Sequence, residues 1–338
     1  MEEQERAYTH TPFPQQLVIE TTAGCNMGCI FCGRTYMARP KKTMDRKIFD
    51  KIVEEVASES PYTEIWPTFM GESMLLGDKL FDMLAYARKV GCKKITLNSN
   101  GTRLNEHHLE RILEGNLDRF IISCDAFTPQ THALVRPITS TFKEENQLGA
   151  IFQNMQALIR KIQNRNLTRP IIEMQFSIFD ENQHEVEDFK KFWMDQGVTV
   201  KVRPKVHWSG TVKGGEKQIT LKDRKPCLWA FDSAAITWNG NVVMCPIDCD
   251  GKYVAGNVTM QSLKEIWNGP LKWTRELHRQ RRFGELPQVC RECPDWEVKK
   301  AHAYFPDDSV KKEYEDYVTL GRTFMESHFW QESQGPVE

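Results

Sequence analysis

No run of about 18 apolar residues occurs anywhere in the 338-residue chain, so nothing in it predicts a membrane-spanning helix. The opening MEEQERAYTHTPFPQQ lacks the basic-then-apolar order of a secretory signal. An excess of one charge sign is missing too: Lys and Arg total 45 against 46 Asp and Glu. That balance removes the global electrostatic case for nucleic acid or a membrane surface as partner. Internal repeats and low-complexity tracts are also absent. These absences predict a soluble, cytoplasmic protein that recognises something small or local. What the chain does have is cysteine, ten of them without an export signal, and these are better read as metal or redox ligands than as disulfides.

β-rich runs alternate with segments of helical periodicity, the pattern of βα units and a mostly parallel sheet. Strands are expected at 17–21, 64–69, 94–98, 119–124, 171–178 and 198–202. Ile48, Phe49, Ile52, Val53 and Val56 form one helical stripe between them, and Leu148 to Ile162 carry another. Six such units cannot close an eight-stranded barrel, so the fold class is α/β, an open, partial (β/α)6 TIM barrel. A Gly-rich stretch, HWSGTVKGGEKQ, then changes the rhythm, and AAITWNGNVVMC reads as a hairpin turned at Asn-Gly. The expected organisation is an N-terminal extension (1–15), a barrel core (16–208), a linker (209–224), a small second unit (225–300), and a terminal helix and tail (301–338). Val310, Tyr314, Tyr317, Val318, Phe324 and Met325 mark the packed face of that helix.

Cys25, Cys29 and Cys32 are spaced C-x3-C-x2-C. Structural zinc closes its shell with four ligands, commonly two close pairs, which this triad fits poorly. An iron–sulfur cube gripped by three thiolates leaves one iron for an outside ligand, and the spacing suits that. With its flanking motifs the segment resembles the radical S-adenosylmethionine (SAM) superfamily over roughly residues 16 to 205. The resemblance implies cluster ligands at the three cysteines and an aromatic beside adenine at Phe31. The stretch MGES stands where relatives carry Gly-Gly-Glu-Pro; Gly71 and Glu72 match the amino-group site, and Met70 and Ser73 depart from it. NSNG and SCDA align with the ribose and carboxylate region, which points to Asn98, Asn100 and Ser123, with Arg136 for the carboxylate. A [4Fe–4S] cluster, SAM, a 5′-deoxyadenosyl radical and a flavodoxin or ferredoxin donor are what membership implies.

Cys227, Cys245, Cys290 and Cys293 form a second set, which by itself suits zinc as well as a cluster. Its surroundings, CLWAFDSAAITWNGNVVMC, DGKYVAGNV, SLKEIWN and CREC, resemble the auxiliary domains called SPASM (two clusters) or twitch (one cluster). One further [4Fe–4S] cluster, fully ligated by four thiolates, is implied.

Cys92, Cys124 and Cys249 remain. The first two read as small buried hydrophobes. Cys249, in CPIDCDGKY, is the candidate catalytic thiol: an S–H group across the substrate from SAM would return hydrogen to the opposite face. That resembles the neomycin epimerase type and implies a sugar, aminocyclitol or aminoglycoside substrate. Dehydrogenation of an aminocyclitol, with the auxiliary cluster as electron acceptor, is the second expectation. Modification of a ribosomal peptide is the third, ranked lower because only 24 residues precede Cys25. Arg203, with Lys205, His207 and Trp208, sits where barrel loops place functional groups, and Arg203 is the candidate for contacting substrate or SAM. Asp248, Asp250 and Asp295 are candidates to face a cationic aminoglycoside or to act as turn residues. Anaerobic reconstitution should yield about eight iron per chain, whereas about four iron plus one zinc would assign the second set to zinc.

Overall fold

The computed structural model describes residues 8–139, 147–212, 222, 224–297 and 301–333, with side chains described up to residue 320. Six parallel strands follow one another across a sheet: β1 (Gln16–Ile19), β2 (Glu64–Trp66), β3 (Lys94–Ser99), β4 (Arg119–Ser123), β5 (Ile171–Ser177) and β6 (Thr199–Arg203). Parallel neighbours need a crossover, and helices such as Arg46–Glu59, Asp78–Val90, Gln147–Asn164 and Val186–Met194 provide it. The expected second strand, 64–69, stops at Trp66, because Pro67 has no N–H to offer a ladder.

Side chains along these strands alternate between two environments. Leu97, Phe120, Ile122, Met174, Phe176 and Val202 point into the main core, where the helical stripes led by Phe49, Ile52, Val53, Met155 and Leu158 cover them. Asn98, Arg119, Ser123, Gln175, Lys201 and Arg203 point the other way and border a cavity. The inner face of this barrel is therefore polar, and the hydrophobic core lies between sheet and helices.

An open barrel leaves two sheet edges to be covered. β7 (Ser233–Ile236) pairs parallel with β1, and β8 (Asn241–Val243) and β9 (Val254–Asn257) continue antiparallel. β10 (His302–Tyr304) pairs antiparallel with β6 at the other end, giving one ten-stranded sheet in the order β10-β6-β5-β4-β3-β2-β1-β7-β8-β9. The expected hairpin exists, with Gly240 at φ 86° in its turn, but its first strand is a member of the barrel sheet. Of the expected linker, residues 213–221 and 223 lie outside the described residues.

The terminal helix, Asp308–Ser333, is capped by Asp307, whose carboxylate accepts from Ser309 N at 2.8 Å and Val310 N at 3.0 Å. Tyr317 O–H reaches Glu64 Oε1 at 3.1 Å, and Arg119 Nη1 donates to Tyr314 O–H at 3.2 Å. Glu64 and Arg119 open β2 and β4, so the helix covers the N-terminal end of the barrel. Val318 is exposed, and the side chains of Phe324 and Met325 lie outside the described residues. Phe120→Ala, in the centre of the sheet, should cost about 3–5 kcal/mol in urea unfolding, while Val318→Ala should stay within about 0.5 kcal/mol.

Candidate active site

A cavity of about 540 Å³ opens inside the barrel, and Cys25, Cys29 and Cys32 border it from the loop after β1. Backbone bonds pin that loop: Gly28 N donates to Pro137 O at 2.8 Å and Ile30 N to Val135 O at 3.2 Å. Arg34 Nε adds a bond to Ala23 O at 2.7 Å. Burial pushes Cys25 and Cys29 up to about 11, and Cys32 is raised for the same reason. Such thiols keep their protons until a bound cation displaces them, which is the donor chemistry of an iron–sulfur site.

Gly71 brings the loop after β2 onto this segment. A Cβ there would stand 2.0 Å from Thr22 O and 2.6 Å from Gly24 O, so only glycine permits the approach. Glu72 N then donates to Gly24 O at 2.8 Å. The Glu72 carboxylate, 3 % exposed, accepts from Asn100 N at 2.7 Å, Ser99 Oγ at 2.9 Å and Met74 N at 3.0 Å. Burial raises its pKa against those bonds. Asn100 Nδ2 donates to Asn26 Oδ1 at 3.0 Å, one residue past Cys25. Three strand-end loops are thus locked together beside the cysteine triad.

Deeper in the cavity a polar row crosses four strands. Ser123 Oγ donates to Asn98 Oδ1 at 3.0 Å, Gln175 Nε2 to Ser123 Oγ at 3.0 Å, and Arg203 Nη1 reaches Gln175 Oε1 at 3.4 Å. Arg136 borders the cavity too, but its guanidinium is committed to the buried Asp125, with Nε 2.8 Å from Oδ2. That pairing raises the Arg136 pKa against its burial. Phe31 lines the cavity and stacks on Phe179 at 4.2 Å, with Arg136 above the ring. Gln175, Lys201, Lys94 and Arg119 were not singled out from the sequence; polar residues at every second position of LNS, EMQFS and VKVR were the available signal.

Cys227, Cys245, Cys290 and Cys293 border a second, smaller pocket. After burial, their mutual charges are what raise the Cys245 pKa most, and burial puts Cys290 at about 12. Among the described residues no three His, Cys, Asp or Glu side chains converge on one point as a single-ion site would require. A cube asks for less convergence, since each thiolate binds a different iron. His278 Nε2 lies 3.3 Å and Arg224 Nη2 3.5 Å from Cys290 Sγ. Trp229 and Ile247 border both this pocket and the main cavity.

Several expected positions turn out to be occupied otherwise. Asp248 accepts from Lys252 N at 2.9 Å and Tyr253 N at 3.0 Å, and Asp250 from Ala38 N and Arg39 N, both at 2.9 Å. Asp295 accepts from His207 N at 2.8 Å and Ser209 N at 2.9 Å, and Asp295 N reaches Cys293 Sγ at 3.3 Å. All three are carboxylates that hold backbone, and none borders the main cavity. His207 faces Asp295, and Trp208, at φ 51°, borders the cavity and donates from Nε1 to Phe31 O at 3.0 Å. Lys205 is not among the cavity residues. Residues 207–209 therefore form a strap between the two cysteine sets. Cys92 and Cys124 are fully buried core residues. Cys249 is 1 % exposed and does not border the cavity; it packs with Trp208 against Gly33, where a Cβ would lie 2.8 Å from its sulfur.

An open parallel barrel with a cysteine triad at its strand ends and a four-cysteine set beside them defines a two-cluster radical enzyme. The Radical SAM superfamily pattern matches residues 19–192, and an iron–sulfur cluster-binding domain of the SPASM type matches residues 227–294. The chain belongs to the radical SAM superfamily, and its cofactors are SAM, a [4Fe–4S] cluster and an auxiliary iron–sulfur cluster. It is 24 % identical over 186 residues to a probable GTP 3′,8-cyclase of Methanothermobacter marburgensis, matching 55 % of this chain and 56 % of that one. The chain spans about half the length of that relative or less for the next ones. It is also 21 % identical to the tungsten-containing aldehyde ferredoxin oxidoreductase cofactor-modifying protein of Pyrococcus furiosus, over 84 % of this chain and 88 % of that one. In fold it is similar to BtrN in complex with AdoMet and 2-DOIA (TM-score 0.56, 17 % identity, 86 % and 97 % covered). Streptococcus suis SuiB bound to precursor peptide SuiA is similar as well (TM-score 0.62, 12 % identity, 81 % and 69 % covered). No helix among the described residues is long and apolar enough to cross a membrane.

Gly71→Ala should weaken SAM binding by about tenfold or more, because Glu72 and the loop that carries it must move away from Thr22. Equilibrium dialysis with SAM checks this, with iron content as the control for the cysteine triad.

Proposed function

We propose that the chain is a radical SAM oxidoreductase that removes hydrogen from a sugar-like small molecule or a peptide held inside the open barrel and releases it oxidised. When bound, the triad cluster with SAM supplies the abstracting radical, and the auxiliary cluster supplies an electron acceptor. A low-potential donor such as flavodoxin or ferredoxin belongs to this reading.

The observation that carries it is the placement of Cys249. Hydrogen return from that thiol requires contact with substrate, and its sulfur is packed behind Trp208 and Gly33 with no share of the cavity surface. The epimerase reading ranks second for this reason. Burial holds the Cys249 thiol up at about 12, so it is protonated near neutral pH, and its position rather than its protonation state is what separates the two readings. By contrast, Trp229 and Ile247 form a wall shared by the cavity and the four-cysteine pocket, a short separation for electron transfer. BtrN and SuiB, of similar fold, were captured with 2-DOIA and with a precursor peptide, so both substrate sizes suit this architecture. Asp248, Asp250 and Asp295 hold backbone and do not border the cavity, so they do not carry the case for a cationic aminoglycoside.

What the chain's own residues do is position. Glu72 and Asn100 present fixed acceptors and donors beside Cys25, suited to the amino and ribose groups of SAM. Ser123 and Asn98 hold each other on the cavity wall, and Phe31 offers a stacked ring. Trp208 and Phe69 line the cavity near the triad, where exclusion of water protects a carbon radical.

Reconstituted holoenzyme with reductant, SAM and a panel of sugars, aminocyclitols and peptides should give a product lacking two hydrogen atoms by mass spectrometry. Cys249→Ala should form the same product. A product of unchanged oxidation level that carries one deuterium from heavy water, lost in Cys249→Ala, would establish epimerisation instead.

A further inference from the structure

Arg203 ends β6 with its side chain on the cavity wall. Its Nη1 reaches the neutral acceptor Gln175 Oε1 at 3.4 Å, and among the described residues no carboxylate lies within ion-pair distance of it. Lys201, two residues earlier on the same face, has Glu173 Oε1 at 3.7 Å. Burial lowers the pKa of both, Lys201 to about 8.

The surrounding acids are committed elsewhere. Asp125 binds Arg136 and accepts from Ser177 N at 2.6 Å. Glu173 is shared with Arg119, 3.6 Å away, and Glu64 pairs with Arg119 at 3.1 Å while accepting from Thr96 and Tyr317. Glu72 already accepts from Met74, Ser99 and Asn100 beside the cysteine triad, and Asp232 borders the cavity from the segment before β7, outside the β5–β6 wall. Asp125 and Glu173 attract the Arg203 guanidinium only from a distance, so among the described residues a half-buried cation on the cavity wall has no carboxylate in direct contact, and a ligand that brings one recovers part of its desolvation cost.

We infer that the substrate presents an anionic oxygen group, a carboxylate or a phosphate, to the fork of Arg203, with Lys201 beside it. The planar guanidinium suits either group. Gln175 ties Arg203 to Ser123 and Asn98, so an anion held there is at a set distance from the side of the cavity that carries the SAM residues. Arg203 is then the specificity-determining contact. The assignment rests on the reading that substrate occupies this cavity.

The test is isothermal calorimetry on reconstituted, SAM-loaded holoenzyme with succinate, inorganic phosphate, neutral succinamide and 1,4-diaminobutane as probes. Succinate or phosphate should bind saturably, and the better of the two identifies the group; succinamide and the diamine should not bind. Arg203→Met should weaken the anion by about tenfold or more, and Arg203→Lys should restore part of it. SAM affinity, read separately, should not change. Equal binding of succinate and succinamide, no saturable binding of either anion, or a parallel loss of SAM affinity in Arg203→Met would each overturn the assignment. The product mass decides the oxidation independently: an anion can bind here whatever the reaction, and oxidation can occur on a neutral substrate.

Discussion

A parallel sheet that packs only one of its faces against helices is the constraint from which the rest follows. Helices cover the outer side of the six barrel strands through Phe120, Met174, Phe176 and their neighbours, and the hydrophobic drive to fold is spent there. The inner side is released from core packing. It can carry Arg119, Glu173, Gln175, Lys201 and Arg203, charged and polar groups that a filled barrel interior would not tolerate. Those groups satisfy one another in part, and the remainder is what a ligand can meet.

With the interior kept open, chemistry depends on what the strand ends hold in place. Gly71 crossing Thr22 and Gly24, Glu72 bridging to Ser99 and Asn100, and Asn100 reaching Asn26 join the loops after β1, β2 and β3 into one rigid collar. The 207–209 strap joins that collar to the second cysteine set through Trp208 and Phe31 on one side and Asp295 beside Cys293 on the other. Successive positive φ angles at Trp208 (51°) and Ser209 (53°) are sparsely populated for non-glycine residues, and here they allow both attachments at once. Radical chemistry needs such preorganisation, because a carbon radical reacts with whatever lies nearest.

Some of this was readable in advance for clear physical reasons. Helical stripes and short β-rich runs reproduced the order of the barrel, because burial on one side imposes periodicity on both kinds of element. The cysteine triad and its flanking MGES, NSNG and SCDA are local spacings, and local spacings survive in sequence. Other features were not readable. β7 joining β1 and β10 joining β6 are pairings between residues far apart in the chain, and no local pattern announces them. Asp248, Asp250 and Asp295 looked available as charges, yet each is consumed by backbone N–H groups that only the folded chain brings near. Cys249 looked poised from its position four residues past Cys245, and packing against Gly33 and Trp208 turned it away.

The sequence by itself determined the class of chemistry, because metal ligation and glycine-dependent close approaches demand particular residue types at particular short spacings. Tertiary structure alone decided which side chains share the cavity, which carboxylates are already engaged, and where, among the described residues, a cationic side chain lacks a carboxylate in ion-pair contact. These are questions of distance between segments remote in the chain, and charge acts through distance.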